Sequence, residues 1–152
     1  MYYLGLDVGS SSVKAALVEA KSGKSIQSVH EPKNEMSISS LKNDWAEQDP
    51  NVWWKYTCTA IKRVCKESNI DPKKIISIGI SYQMHGLVIV DKNGESLRDS
   101  IIWCDSRAVN IGNDAYEKLG EDKCMTHLLN SPGNFTASKL KWVKENEPEV
   151  YE

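Results

Sequence analysis

The sequence predicts an α/β domain whose mixed sheet opens with an antiparallel three-strand meander and is flanked by helices. Two observations carry that expectation. Three short apolar runs at the start are separated by turn-forming residues, and a β-branched run follows a long segment of helical period. The 152 residues, 40% of them hydrophobic and 26% charged, suffice for one domain with a buried core.

Taken in order, Tyr2 to Val8 is an apolar strand closed by the turn Gly9-Ser10-Ser11-Ser12. Val13 to Ala20 is the second strand, Lys21-Ser22-Gly23-Lys24 the next turn, and Ser25 to His30 the third strand. Residues 31–48 have no clean period and are expected to form a surface loop. Asp49-Pro50 starts a helix, Asp49 as cap and Pro50 at its first position. Trp53, Tyr56, Ala60, Ile61 and Val64 follow at helical spacing, to about Ser68. Ile75 to Ser81 has the composition of a strand buried on both faces. Leu87 to Val90 is a further expected strand, leading into the hairpin turn Asp91-Lys92-Asn93-Gly94, and another lies at Ser100 to Trp103. Ser106 is placed to cap a helix carrying Ala108, Ile111, Ala115 and Leu119. Thr136 is placed to cap one carrying Ala137, Leu140 and Val143, which Glu147-Pro148 ends.

The formal net charge of −2 argues against nucleic acid as the main partner. No apolar run reaches the roughly 20 residues that span a bilayer, and the first residues read as a strand instead of a signal peptide. A cytoplasmic protein is expected. Cys58, Cys65, Cys104 and Cys124 form no C-x-x-C pair and are read as reduced, mostly packing thiols.

Three segments could carry chemistry. Asp7 and the turn Gly9-Ser10-Ser11-Ser12 lie at a strand end, where backbone N–H groups and hydroxyls can face phosphate oxygens. Asp7 there could hold Mg²⁺ through water; the alternative is a tight hairpin that Asp7 merely caps. Gln83-Met84-His85-Gly86 follows the β-branched strand, at the place where open α/β sheets bind ligands. Gln83 and His85 can hydrogen-bond sugar hydroxyls and Met84 can pack on an apolar face; the alternative is a locally satisfied histidine and a core methionine. Trp103-Cys104-Asp105-Ser106-Arg107 offers an aromatic platform beside a carboxylate and a cation, or else a buried tryptophan beside an ion pair at a helix start. Trp45, Trp53 and Trp54 are candidates for ligand stacking, although Trp53 falls on the apolar stripe. His30 and His127 have no partner at useful spacing.

Five segments resemble the FGGY carbohydrate kinases: Leu4 to Lys14, Trp45-Ala46-Glu47-Gln48-Asp49-Pro50, Gln83 to Gly86, Ile102 to Arg107, and Pro132-Gly133-Asn134-Phe135-Thr136 through Trp142. The resemblance runs along the whole chain in order. It implies a ribonuclease-H-like (actin-like ATPase) domain, with residues 1–152 as its N-terminal part and a second, C-terminal ATPase domain as its partner. It also implies ATP and Mg²⁺, with Asp7 near the transferred phosphate and Gly9, Ser10, Ser11 and Ser12 beneath the ATP phosphates. Met84 and His85 would contact a ketose, Trp103 and Asn134 would line its pocket, and Asp105 would order that wall. Met84-His85 stands where a glycerol kinase would show Arg-Glu, which favours D-xylulose, with ribulose, gluconate and glycerol as alternatives. The general-base aspartate and the adenosine pocket have no match in residues 1–152, so this chain by itself is expected to be inactive and to self-associate through uncovered apolar surface. A non-enzymatic actin-like ATP-binding protein is the alternative of a different class.

Overall fold

The computed structural model describes all 152 residues, which divide into two compact units. The first holds residues 1–37 and 51–83, the second residues 38–50 and 84–152.

In the first unit, strands β1 (Tyr2–Val8), β2 (Val13–Glu19) and β3 (Ser25–Glu31) form the expected antiparallel meander. Helix α1 (Pro50–Glu67) crosses over to β5 (Ile75–Tyr82), which pairs with β1 in parallel, so the sheet order is β3-β2-β1-β5. A parallel neighbour cannot be reached by a tight turn, and the helix supplies the required crossover. This is the mixed sheet of the expected ribonuclease-H-like class.

Period-two alternation sends Leu4, Leu6, Val13, Ala15, Leu17 and Val29 to one sheet face, where Ala60, Val64 and Cys65 of α1 pack on them. Register places Ile78, Ile80 and Tyr82 on that same face, opposite Leu4, Leu6 and Val8. Their exposure corrects the expectation for this strand: Ile80 is 63% exposed, and Ile76, Ile78 and Tyr82 are exposed too. The physical reason is position. β5 is the sheet edge, and α1 packs on the meander instead of on the edge strand.

The second unit has a smaller sheet in which β4 (Glu47–Gln48) pairs with β6 (Ser100–Ile101). Part of the segment expected to be a plain loop is therefore ordered, with Ser39 and Glu47 bridged. The strand expected at Leu87 to Val90 is reduced to two bridges, Leu87 with Ile101 and Val90 with Ser96. Between them the expected turn is present. Asp91 accepts hydrogen bonds from the N–H groups of Asn93 and Glu95, Gly94 takes φ +86°, and these bonds hold the Asp91 carboxyl below its usual range. Beyond Ile101 the ladder adds one bond, from the Ile102 N–H to Ala46 O, before the chain turns with the Asp105 N–H on Ile102 O.

Helix α2 (Val109–Leu119) begins later than Ser106, whose backbone carbonyl accepts from the Val109 N–H and whose own N–H donates to Asp44 O. Asp105, not Ser106, takes the side-chain role at this turn, accepting from the Arg107 N–H. Short helical turns follow at α3 (Glu121–Lys123), Cys124–Leu128 and Pro132–Asn134, ahead of α4 (Thr136–Asn146) and α5 (Pro148–Tyr151). Phe135 occupies the cap position of α4, one residue before Thr136. The buried face of α4 is also turned from the expected one: Ser138, Lys139 and Val143 are buried, while Ala137 and Leu140 are exposed. Val143 joins Leu87 and Ile101 in the core of this unit, with Ile89, Trp142 and Val150 around them. All four cysteines are free; Cys65 and Cys124 are buried, Cys58 is partly buried and Cys104 is exposed.

Gly112 of α2 touches the turn at Pro132–Asn134 so closely that a Cβ there would lie 2.3 Å from Gly133 Cα. Both surfaces are backbone and cannot yield as a side chain does. Gly112→Ala is expected to destabilise the protein by about 3 kcal/mol or more, read as a lowered midpoint in urea unfolding.

Candidate functional site

The residues singled out from sequence fall into two groups, one in each unit. In the first unit Asp7 and Gln83 lie at the carboxyl ends of the parallel pair β1 and β5, the ligand edge of an open α/β sheet. The Gln83 N–H donates to Val8 O at 3.1 Å, continuing the ladder past Tyr82. Both polar atoms of the Gln83 amide are shielded from solvent without a hydrogen-bonding partner in the chain. Asp7 is half exposed and faces Lys14 across the hairpin, with 3.0 Å between Oδ2 and Nζ. Val8 and Val13 pair, leaving Gly9 to Ser12 as the turn, closed by the Gly9 N–H on Ser12 O at 3.1 Å. A Cβ at Gly9 would come within 3.2 Å of Ser12 O, so glycine suits the turn sterically. The oxygen chemistry of Asp7 and the small residues of the turn fit a Mg²⁺–phosphate group.

In the second unit three separate segments converge. The His85 backbone is in the left-handed region (φ +64°), and its ring stacks on Phe135 at 4.8 Å between centroids, 8° from parallel. Met84 beside it is 68% exposed. Asn134 donates from Nδ2 to the backbone carbonyl of Trp103, whose side chain is 49% exposed, while Asn134 Oδ1 is shielded from solvent and lacks a partner in the chain. Lys139 joins these segments from below. Its Nζ donates to His85 O at 2.9 Å and to Asn134 O at 3.3 Å, and the residue is 0% exposed. Thr136 Oγ1 adds a bond to Gly86 O at 3.2 Å.

Asp105, two residues after Trp103, is fully buried. Its Oδ2 accepts from the Ala46 N–H at 2.6 Å, and both oxygens accept from Arg107. Arg107 Nη1 also lies 2.7 Å from Glu47 Oε1, and Arg98 joins Glu47 to Glu147. The Arg107 guanidinium lies 3.7 Å from the Trp45 ring centroid and 4.9 Å from that of Trp142. Trp45 is thus engaged by an arginine, while Trp54 is exposed on α1 and Trp53 lies on the same helix in the other unit.

Sequence reasoning missed Lys139. The available signal was its spacing of four from Val143, which puts a lysine on the inward stripe of α4.

The N-terminal domain of the FGGY family of carbohydrate kinases matches residues 2–152. The chain belongs to that family. Its FGGY domain is 36% identical over 155 residues to the xylulose kinase of Bacillus subtilis, covering 99% of this chain and 29% of the relative. A crystal structure named as a xyloylose kinase from Brucella ovis superposes with a TM-score of 0.86 at 33% identity, covering 99% of this chain and 30% of that one. The gluconate kinase of Lactobacillus acidophilus gives 0.82 at 29% identity, with 99% and 29% covered. The chain thus spans under a third of the length of these relatives.

Burial pushes the Lys139 ammonium of this domain down to about 8. Asp105 and, more weakly, Cys104 oppose the shift, and Arg107 adds to it. The unfolded chain, with this group near 10.5, binds more protons between those values, so stability from this group rises with pH across that window. The difference in unfolding free energy between the unaltered protein and Lys139→Met is expected to move toward the unaltered protein by a few kcal/mol from pH 8 to 10.5, as urea titrations at successive pH values will report.

Proposed function

We propose that the whole protein is an ATP-dependent sugar kinase that converts D-xylulose to D-xylulose 5-phosphate. The observation that supports this most directly is the convergence at the second unit's wall. Met84, His85 and Trp103 offer apolar, imidazole and aromatic surface, while the unpartnered Asn134 Oδ1 is an acceptor suited to a hydroxyl. A polyol needs that mixture: hydroxyls to hydrogen-bond and carbon faces to pack. His85 and Asn134 take the hydroxyls, and Met84 and Trp103 take the carbon face.

In the first unit, Asp7 would hold the metal of MgATP, and Gly9, Ser10, Ser11 and Ser12 would bind the phosphates. Bound MgATP supplies the phosphoryl group, and catalysis is chiefly positioning and charge stabilisation. The aspartate that takes the sugar hydroxyl's proton, and the adenosine pocket, belong to a C-terminal domain of the whole protein. Residues 1–152 by themselves therefore give no turnover. We place the protein in the cytoplasm; no helix of this chain is long and apolar enough to cross a membrane. Likeness to a gluconate kinase makes gluconate the first competing substrate.

The test is ADP release by the whole protein with D-xylulose, D-ribulose, gluconate and glycerol. D-Xylulose is expected to give the highest kcat/KM by about tenfold or more. His85→Ala is expected to raise the sugar KM about tenfold, and Asp7→Asn to lower kcat by about 100-fold. Preference for another of the four sugars discards xylulose and keeps the kinase. Absence of sugar-dependent ADP release sinks the kinase and favours an actin-like ATP-binding protein. Residues 1–152 alone are expected to form a homodimer through the exposed row Ile78, Ile80 and Tyr82; a sedimentation coefficient that stays monomeric as concentration rises rejects this.

A further inference from the structure

We propose that Lys139 is a positioning residue for sugar binding, fixing the conformation in which the segment Met84-His85-Gly86 meets its ligand. The inference rests on the sugar-kinase reading above. An ammonium group that is 0% exposed carries a desolvation cost that an apolar side chain at the same place would avoid. Something specific must be gained from it. Its hydrogen bonds identify the gain: Nζ reaches the carbonyl of His85, 54 residues away in sequence, and that of Asn134. These are backbone groups of the two segments that carry the expected sugar contacts.

His85 is the residue that requires holding. A non-glycine residue at φ +64° is in a sparsely populated region and persists only where its surroundings fix it. Three contacts from the start of α4 and the residue before it do so. Lys139 binds His85 O, Thr136 Oγ1 binds Gly86 O, and the Phe135 ring stacks on the imidazole. Lys139 alone ties the segment to Asn134 as well, so it sets the spacing between two ligand-facing residues. Because it is wholly buried, it acts on the sugar through the backbone and does not touch it. The charges around it are consistent with a fixed ammonium: Asp105 favours the charged form, and Arg107 is itself neutralised by Asp105 and Glu47.

The experiment uses the whole protein, assayed on whichever of the four sugars it turns over fastest, with Lys139→Met and Thr136→Val as variants. Thr136 is exposed, so Thr136→Val removes one tie without creating a buried vacancy. Lys139→Met is expected to raise the sugar KM about tenfold or more, and Thr136→Val about threefold, with the MgATP KM of each within about twofold of the unaltered value. Amide hydrogen exchange at residues 84–86 is expected to accelerate in both variants while β1 and β2 stay protected. If Lys139→Met does not fold, the Thr136→Val kinetics and exchange decide. Sugar KM values within twofold of the unaltered protein, or sugar and nucleotide KM rising together, overturn the role of Lys139 and leave the kinase standing. An unaltered protein with no sugar-dependent ADP release removes the kinase reading and this inference with it.

Discussion

The second unit depends on one buried guanidinium. Arg107 meets Asp105 through its fork and Glu47 through Nη1, and lies over the rings of Trp45 and Trp142. Those four partners come from the loop before β4, from β4 itself, from the turn after β6 and from α4, elements that share only a small apolar core. Arginine suits the position because its planar fork can bind a carboxylate while its faces lie against aromatic rings. Around it, Arg98, Arg107 and Lys139 stand against Glu47, Asp105 and Glu147, three cations and three carboxylates. Removing Arg107 leaves the fully buried Asp105 carboxylate without its counterpart, which typically costs about 3–5 kcal/mol. This half of the chain is therefore held together by charge matching, while the first unit rests on ordinary apolar packing between sheet and helix.

That contrast explains what could be read from sequence. The meander and α1 were legible because their core obeys simple periods: alternate residues in β1 and β2, and Ala60 and Val64 along the helix. The short elements of the second unit were not. Leu87 and Val90 have strand composition but form only isolated bridges, since the turn at Asp91 is fixed by side-chain bonds and needs no ladder. Leu140 took the place of Lys139 in the expected apolar stripe, because no hydrophobicity pattern assigns a lysine to a core. In the candidate site, Met84, His85 and Trp103 were singled out from their types and segments, and Asn134 only through the family resemblance. Their mutual ties run through backbone carbonyls, which every residue has and no sequence displays.

β5 shows the limit of composition from the other side. Its β-branched run has the look of a doubly buried strand, yet burial belongs to the neighbours a strand has. In the chain described, β5 has β1 on one side and no strand on the other, and its apolar row continues a face that α1 covers only over the meander.

The hairpin tip at Asp91–Gly94 has a practical consequence. Its hydrogen bonds close on themselves, among Asp91, Asn93, Gly94 and Glu95, and Lys92 projects from it exposed. These bonds are local to the tip and do not involve Met84, His85, Trp103 or Asn134. Loop tips of this kind tolerate added mass well. Lys92 is therefore a suitable attachment point for a fluorophore or an affinity handle that leaves Met84, His85, Trp103 and Asn134 undisturbed.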